Sequence, residues 1–341
     1  MGKRFSFMSI SSKPFILIAC LGLILGFSTS ASAQRKRVTV AGGSIGSTAY
    51  VQTAALADLV TKNSKKISVT AQTTKGYVEN ARLVNTGETD FGVCGTTIIY
   101  PALQGIEKFK EGKKENLRAV INAGSSVYTF VTYKTKNIKT IKDLAGKRVN
   151  IGPPGSNTAY LAELTLKAYG VWDKVNKTQL GFNDAAAALR DGKIDCYNIA
   201  GDPPAPAVIE TFSAGPAMII PLEENMRLKI AKEHPVLAPT PVEPNTYQGQ
   251  KEAIPVMGYQ CYLLANSKVP DWIVNELLSV MMRPDVMDKI ILASHKWGEL
   301  KEKDIPKVES MVKIGLKFHP AAEKYWKEKG VVIPGSISTL K

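Results

Sequence analysis

Twice in this chain, about 110 residues apart, a short β-branched run breaks into glycine and ends in a Ser/Asn/Thr group at the head of a helical pattern. The two segments are Val38-Thr-Val-Ala-Gly-Gly-Ser-Ile-Gly-Ser-Thr-Ala49 and Arg148-Val-Asn-Ile-Gly-Pro-Pro-Gly-Ser-Asn-Thr-Ala159. A strand that turns through glycine into a capped helix leaves the first N–H groups of that helix without internal partners, facing outward as an anion site. Written twice, the pattern asks for a fold that starts two βα windings and holds a ligand between them.

The first 33 residues read as an export signal and not as part of that fold. Lys3, Arg4 and Lys13 make a basic start, Phe15 to Phe27 an apolar stretch, and Ala31-Ser-Ala33 a small-residue cleavage site before Gln34. Thirteen residues fall short of the roughly 20 that span a bilayer. The expectation is a periplasmic protein cleaved after Ala33. The alternative is a lipid anchor at Cys20, within Leu17-Ile-Ala-Cys20, although that cysteine sits in the middle of the apolar stretch and not at its end.

Losing Lys3, Arg4 and Lys13 takes the formal charge from +14 to +11. The lysines are spread along the chain, and the one dense run, Lys108 to Lys114, carries Glu111, so the surplus reads as a solvated basic surface with an attraction for anionic solutes and no nucleic-acid partner. Cys94, Cys196 and Cys261 remain, an odd number lying in apolar strand-like runs, which argues for buried thiols against a disulfide framework. His234, His295 and His319 are far apart and lack a metal-ligand spacing, so neither a metal nor a cofactor is expected.

About 308 residues suffice for two domains. Strand patterns at Arg37–Ala41, Ile67–Gln72 and Phe91–Val93 alternate with helical ones at Thr48–Asn63 and Val78–Asn85, the order of a parallel doubly wound sheet. After strands at Leu117–Ile121 and Tyr128–Tyr133 the order restarts: strand Lys147–Ile151, helix Asn157–Tyr169, helix Asp184–Arg190, strand Cys196–Ile199. Gly46-Ser47 matches Gly155-Ser156 at an offset of 109, and Gly87-Glu-Thr-Asp90 matches Gly192-Lys-Ile-Asp195 at 105. The proline-rich stretch Pro235 to Pro255 precedes a strand at Tyr259–Ala265 and helices near Asp271–Met282, Pro284–Ser294, Lys307–Leu316 and Pro320–Lys329 that return the chain to the first lobe. The predicted fold is therefore α/β and bilobed, two doubly wound sheets joined by two crossing strands. Residues 34–127 plus 258–341 form lobe I and residues 128–257 lobe II.

Six segments in this order resemble the TAXI class of substrate-binding proteins, the exported receptors of tripartite ATP-independent periplasmic (TRAP) transporters. They are Gly43-Ser-Ile-Gly-Ser-Thr-Ala-Tyr50, Gly76-Tyr-Val-Glu-Asn-Ala-Arg-Leu-Val-Asn-Thr-Gly-Glu-Thr-Asp90, Leu144-Ala-Gly-Lys-Arg-Val149, Gly152-Pro-Pro-Gly-Ser-Asn-Thr158, Leu189-Arg-Asp-Gly-Lys-Ile-Asp195 and His319-Pro-Ala-Ala-Glu-Lys-Tyr325. The resemblance implies a type II-like periplasmic binding protein, not an enzyme, that closes as a monomer around a small carboxylate, an amino acid or dicarboxylate, and delivers it to TRAP membrane subunits.

Ligand contact is expected from the hydroxyls of Ser44, Ser47 and Thr48 beside the first helix N-terminus and from Gly155, Ser156 and Thr158 beside the second. Tyr50 and Tyr77 are candidate cleft walls, Asn80 a candidate amide contact, and Thr96 and Thr97 follow a strand whose carboxyl end is where ligands gather in such sheets. Each has an ordinary structural alternative as a cap, core aromatic or solvated helix residue. Departures from the family pattern fall at Ser47, Ala49, Tyr77 and Asp202; Asp202 reads either as a specificity residue or as a turn aspartate capping a helix near Pro204. Two other functions stay open. A receptor of the same fold can present its ligand to a membrane histidine kinase, and Gly42-Gly-Ser-Ile-Gly46 satisfies the nucleophile-elbow pattern, making Ser44 a hydrolase candidate with His319 as its partner in chain order.

Overall fold

The first glycine loop joins β1 (Lys36–Ala41) to α1 (Thr48–Asn63), and the chain winds on through β2 (Ile67–Gln72), α2 (Tyr77–Thr86), β3 (Phe91–Gly95) and α3 (Thr96–Gln104). These coordinates are a computed structural model that describes residues 34–45, 47–302 and 304–340. The export signal, the Cys20 lipid site and Gly46 lie outside the described residues. β1 pairs in parallel with both β2 and β3, which sets the local order β2-β1-β3. After β4 (Leu117–Tyr133) the second glycine loop repeats the scheme: β5 (Arg148–Asn150), α4 (Asn157–Ala168), β6 (Asn176–Thr178), α5 (Phe182–Arg190), β7 (Cys196–Gly201) and α6 (Pro206–Ala214). β5 pairs in parallel with β6 and β7, so the order β6-β5-β7 mirrors the first winding.

β8 (Ala217–Ile220), α7 (Glu224–Glu233) and β9 (Ala238–Val242) lead into β10 (Ile254–Asn266). The chain then closes with α8 (Asp271–Met281), α9 (Pro284–Ala293), a 3-10 segment at His295–Lys301, α10 (Val308–Ile314) and α11 (Pro320–Glu328). β4 and β10 run antiparallel side by side, one bordering β7 and the other β3, giving the path β2-β1-β3-β10-β4-β7-β5-β6 with β8 added on β4 and β9 on β10. The α/β fold and the two crossing strands are as expected, but the two windings share one ten-stranded mixed sheet where two separate sheets were expected, because β4 and β10 hydrogen-bond to each other as well as to β7 and β3. Among the described residues no helix is long and apolar enough to cross a membrane.

The matched offsets have a shared physical basis. α2 ends against Gly87 at φ 81°, and α5 is followed by Gly192 at φ 71°, both left-handed. Each turn then delivers an aspartate to the strand that opened its winding. Asp90 accepts hydrogen bonds from the Thr39 N–H at 2.8 Å and its hydroxyl at 3.1 Å, and Asp195 accepts from the Arg148 N–H at 3.0 Å and its guanidinium. The Arg148 guanidinium, foremost, holds the Asp195 carboxyl well below the usual carboxylate range.

β4 corrects one expectation. Leu117–Ile121 and Tyr128–Tyr133 read as two strands because Asn122-Ala-Gly-Ser-Ser126 between them has turn composition. They form one 17-residue strand. β10 pairs with it from Leu117 to Tyr128, Tyr259 and Gln260 opposite Ser126 and Ser125, and absorbs the irregularity in register shifts between Gln260 and Tyr262 and between Leu263 and Leu264. α3, α7, β6, β8 and β9 lie where no periodic element was predicted. β9 contains Pro239 and Pro241 and sits at an edge, where proline costs no ladder bond.

The segment His295–Lys301 straps across β4 at that former "turn". Trp297, fully buried, donates its indole N–H to the Gln52 carbonyl of α1 at 3.1 Å, and Gln52 donates to the Ala123 carbonyl at 2.8 Å. Glu299 accepts from the Ser125 N–H at 2.6 Å, Asn122 at 2.8 Å and Gln260 at 3.1 Å, so one carboxylate ties both crossing strands. Burial alone would push the Glu299 carboxyl up; these hydrogen bonds outweigh it and hold it below its ordinary value. The strap comes this close because residue 124 is glycine: Gly124 has φ 81°, and a Cβ there would lie 2.3 Å from the Lys296 carbonyl oxygen.

Two outcomes are expected. Gly124→Ala combines left-handed strain with a backbone clash and should destabilise the protein by about 2–4 kcal/mol, read as a lowered urea midpoint. Glu299→Gln should cost about 1–3 kcal/mol at pH 7. Because the native Glu299 carboxyl lies below its unfolded value, its stabilisation is present above the ordinary glutamate range and is lost as pH falls below it. The gap between wild type and Glu299→Gln in urea denaturation should therefore shrink on going from pH 7 to acid, and a gap independent of pH would contradict the assignment.

Candidate functional site

A cavity of about 470 Å3 opens where the two glycine loops face each other. From the first winding it is lined by Gly43, Ser44, Ser47, Thr48 and Ala49, with Thr74 to Tyr77 at the head of α2. The second winding contributes Pro153, Pro154, Ser156, Asn157 and Thr158, with Phe182, Ala200 and Gly201. Ser126, Tyr259 and Lys296 close it from the crossing strands and the strap. The tight second loop depends on Gly152 at φ 90°, where a Cβ would fall 2.5 Å from the Thr158 methyl.

Both helix starts are capped in the same way. Ser47 accepts from the Tyr50 N–H at 3.2 Å, and Ser156 accepts from the Ala159 N–H at 3.1 Å while donating to the Pro153 carbonyl at 2.7 Å. The two serines are thereby occupied, and helix geometry leaves the N–H groups of Thr48 and Ala49, and of Asn157 and Thr158, without intrahelical partners. All four residues line the cavity. Two positive helix ends thus face one space.

Of the twelve residues expected at the ligand, the cavity brings together Ser44, Ser47, Thr48, Tyr77, Ser156 and Thr158. The other six stand behind or beside it. Asn80 is fully buried and all of its amide is engaged: it donates to the Gly42 carbonyl at 2.7 Å and the Val93 carbonyl at 2.8 Å and accepts from the Thr74 hydroxyl at 2.6 Å, which holds the first loop in place. Thr96 donates to the Val236 carbonyl at 3.3 Å, and Thr97 to the Asn157 Oδ1 at 2.8 Å. Tyr50 stands on the first turn of α1 away from the cavity lining, and Gly155 borders a neighbouring pocket with Arg82 and Trp172. Asp202 lies just outside the lining, 3.9 Å from the Lys296 ammonium. It is not a cap, since α6 begins at Pro206 with Ala205 in the N-cap position.

Lys296 is the main residue that sequence reasoning missed. It is 4% exposed, and its ammonium donates to the Ser125 carbonyl and, at 2.5 Å, to the Ser126 hydroxyl. In the sequence it reads as an ordinary last-turn cation after a helix. Ser126 was hidden in the turn-like run of β4, Tyr259 in a core strand, and Asn157 behind its more conspicuous neighbours Ser156 and Thr158. Burial pushes the Tyr259 phenol far up, Cys261 adds to this, and Ser126 and Asn157 near the hydroxyl pull the other way. Tyr77 is raised chiefly by burial, and its hydroxyl rests 3.6 Å from the Cys261 sulfur. Asp202 is also raised by burial, with Lys296 opposing.

The chemistry of the cavity is that of a binding site. Of the described residues that line it, two are lysines, Lys75 and Lys296, and none is an acid. Ser44 has no histidine beside it: the His319 ring caps α11 through the Ala321 N–H and contacts the Val269 carbonyl, and neither His319, His234 nor His295 lines the cavity. Among the described residues no group of three or more His, Cys, Asp or Glu side chains is placed to hold a metal ion.

Solved structures are similar to this one. MatC from Rhodopseudomonas palustris, with bound malate, aligns with a TM-score of 0.52 at 15% identity, covering 87% of this chain and 99% of that one. The periplasmic aliphatic sulphonate binding protein SsuA from Escherichia coli aligns at 0.44 and 15% identity, covering 89% and 90%. A Streptococcus mutans protein from work on glutathione import through GshT and the cystine importer TcyBC aligns at 0.47 and 16%, covering 81% and 100%. The mixed α/β architecture is that of periplasmic binding proteins. Residues 40–330 match the NMT1-like family, and the chain belongs to it.

Proposed function

We propose that the protein is an exported solute receptor that closes on a small carboxylate, an amino acid or dicarboxylate-like anion, and delivers it to a TRAP-type secondary transporter. The observation that carries the carboxylate is the charge of the cavity: two lysines and two open helix N-termini converge on a space without an acid in its lining. A volume of about 470 Å3 suits a small organic ligand. Tyr77, Tyr259, Phe182, Pro153 and Pro154 supply walls for its apolar part. Delivery to a TRAP carrier rests on the resemblance of the six sequence segments. Cleavage after Ala33 rests on the signal pattern and is read by N-terminal sequencing of the exported protein.

Closure is part of this reading, and the two crossing strands support it. Residues 34–127 plus 258–341 and residues 128–257 move as two lobes about β4 and β10, and a ligand touching both favours the closed state by its differential contacts. Small-angle scattering should record a smaller radius of gyration with ligand than without.

A thermal-shift panel of succinate, L-malate, L-glutamate, 2-oxoglutarate and phenylpyruvate tests the function. Malate belongs in it because a protein of the same fold holds that anion. A ligand at about a hundred times its Kd adds about 2.7 kcal/mol, a rise of about 4 °C in Tm for a chain of this size. At least one carboxylate should give this rise, and Lys296→Met should weaken it by thirtyfold or more, about 2 kcal/mol. A panel in which only neutral sugars or cations raise the Tm would refute the reading.

Asp202 competes with the ligand for the Lys296 ammonium. Asp202→Asn should tighten carboxylate binding by about threefold to tenfold. Since burial raises the Asp202 carboxyl, lowering the pH neutralises it earlier than an exposed aspartate, and wild-type affinity for a carboxylate that stays ionised should rise as pH falls from 8 toward 5. His295 and Glu299 also act on Asp202, so the difference between wild type and Asp202→Asn in titration calorimetry is the quantity to follow.

A further inference from the structure

Seven buried polar side-chain atoms among the described residues have no hydrogen-bond partner, and one of them, Asn157 Nδ2, belongs to a residue that lines the cavity. Asn157 is 6% exposed. The Tyr259 phenol, also in the lining, lies near this amide but forms no hydrogen bond of normal geometry with it. The donor is left unpaired at a cost of about 1–3 kcal/mol, which a ligand entering the cavity relieves. The other end of the amide is spoken for: its Oδ1 accepts the Thr97 hydroxyl at 2.8 Å, which fixes the orientation of the group and turns the NH2 away from Thr97.

Lys296 repeats this arrangement from the opposite side. Lys296 lines the cavity, its ammonium held by the Ser125 carbonyl and the Ser126 hydroxyl with Asp202 3.9 Å away. Thr97 and Asp202 occupy equivalent places in the two windings, each seven residues after the aspartate, Asp90 or Asp195, that ties its turn to the opening strand. Each reaches across the cleft. Thr97, after β3 of the first winding, holds Asn157 at the start of α4 in the second; Asp202, after β7 of the second, faces Lys296 on the strap packed against the first.

We infer that Asn157 Nδ2 and Lys296 Nζ together grip one carboxylate of the ligand, with Thr97 as the positioning residue that aims the Asn157 amide. This rests on the carboxylate reading of the cavity and deepens it by assigning the anion-specific contacts. The pair suits a planar carboxylate, since an ammonium gives charge and a fixed amide gives direction. Neither donor is attracted to a neutral primary amide to the same degree, so the pair discriminates an acid from its amide. Binding of the ligand to both also ties the lobes, because the two donors come from different sides of the cleft.

The experiment is titration calorimetry of the mature wild-type protein and of Asn157→Leu, Asn157→Asp, Thr97→Val and Thr97→Ser. The probes are L-malate, L-glutamate and phenylpyruvate, each with its corresponding primary amide. Asn157→Leu should weaken carboxylate binding by about tenfold to a hundredfold, the range for a hydrogen bond to a charged group. Asn157→Asp, which sets a carboxylate beside the ligand's own, should weaken it further, and the loss should lessen as pH is lowered. Thr97→Val, which removes only the hydroxyl that orients the amide, should weaken carboxylate binding severalfold and narrow the preference for acid over amide; Thr97→Ser should restore both. That rescue separates aiming from bulk packing, and circular dichroism of each variant without ligand shows which are folded. Should Asn157→Leu fail to fold, the Thr97 pair decides the matter alone. Wild-type binding that is unchanged in folded Asn157 and Thr97 variants would overturn the assignment and leave the carboxylate function standing. A wild-type protein that binds none of the acids would overturn both.

Discussion

The ammonium of Lys296 sits where the two crossing strands meet, almost out of contact with water, and much of the centre of the molecule is arranged around that charge. A buried cation persists only where polar groups replace its hydration. Here the Ser125 carbonyl and the Ser126 hydroxyl do so from β4. The opposite face of the same Ser125 peptide neighbourhood is held by Glu299, whose carboxylate accepts the Ser125 N–H. Strap and strand are therefore locked by reciprocal polar bonds at one residue. Gly124 makes room for the contact, and Trp297 anchors it to α1. Moving the strap would strand a charge, break the tie to both crossing strands and empty one wall of the cavity, so the site and the junction of the crossing strands share one set of interactions.

The windings were legible because their signals are local. Ser47 and Ser156 cap the helices that their loops announce, α1 and β2 have the predicted bounds, and the two Gly-x-x-Asp turns do the same work at Thr39 and Arg148. The crossing strand was legible only in part. Asn122 to Ser126 has the composition of a turn, and what makes it a strand is β10, more than 130 residues further on, pairing with it through Tyr259 and Gln260. Lys296 was invisible for the same reason: its partners Ser125 and Ser126 precede it by some 170 residues, and nothing near it in the chain distinguishes it from a surface lysine. Asn80 shows the converse. It looked like a ligand contact because it lies one turn into a helix near the site, yet its amide is consumed in holding the loop that forms the site.

Two similar windings do not make a symmetric site. Both loops present a capped helix and two open N–H groups, so the repeated part supplies a general preference for anions. The difference enters seven residues after each turn aspartate, at Thr97 in one winding and Asp202 in the other. A threonine hydroxyl at 2.8 Å fixes a neutral amide firmly and leaves its second end free. An aspartate at 3.9 Å engages an ammonium loosely and leaves it able to take a better partner. Each lies against another side chain, Asn157 or Lys296, that belongs to the cavity lining. Selectivity is then written in the residues that hold the contacts as much as in the contacts themselves. On the proposed reading, a change at either position alters which anion is preferred without altering a single residue of the cavity wall.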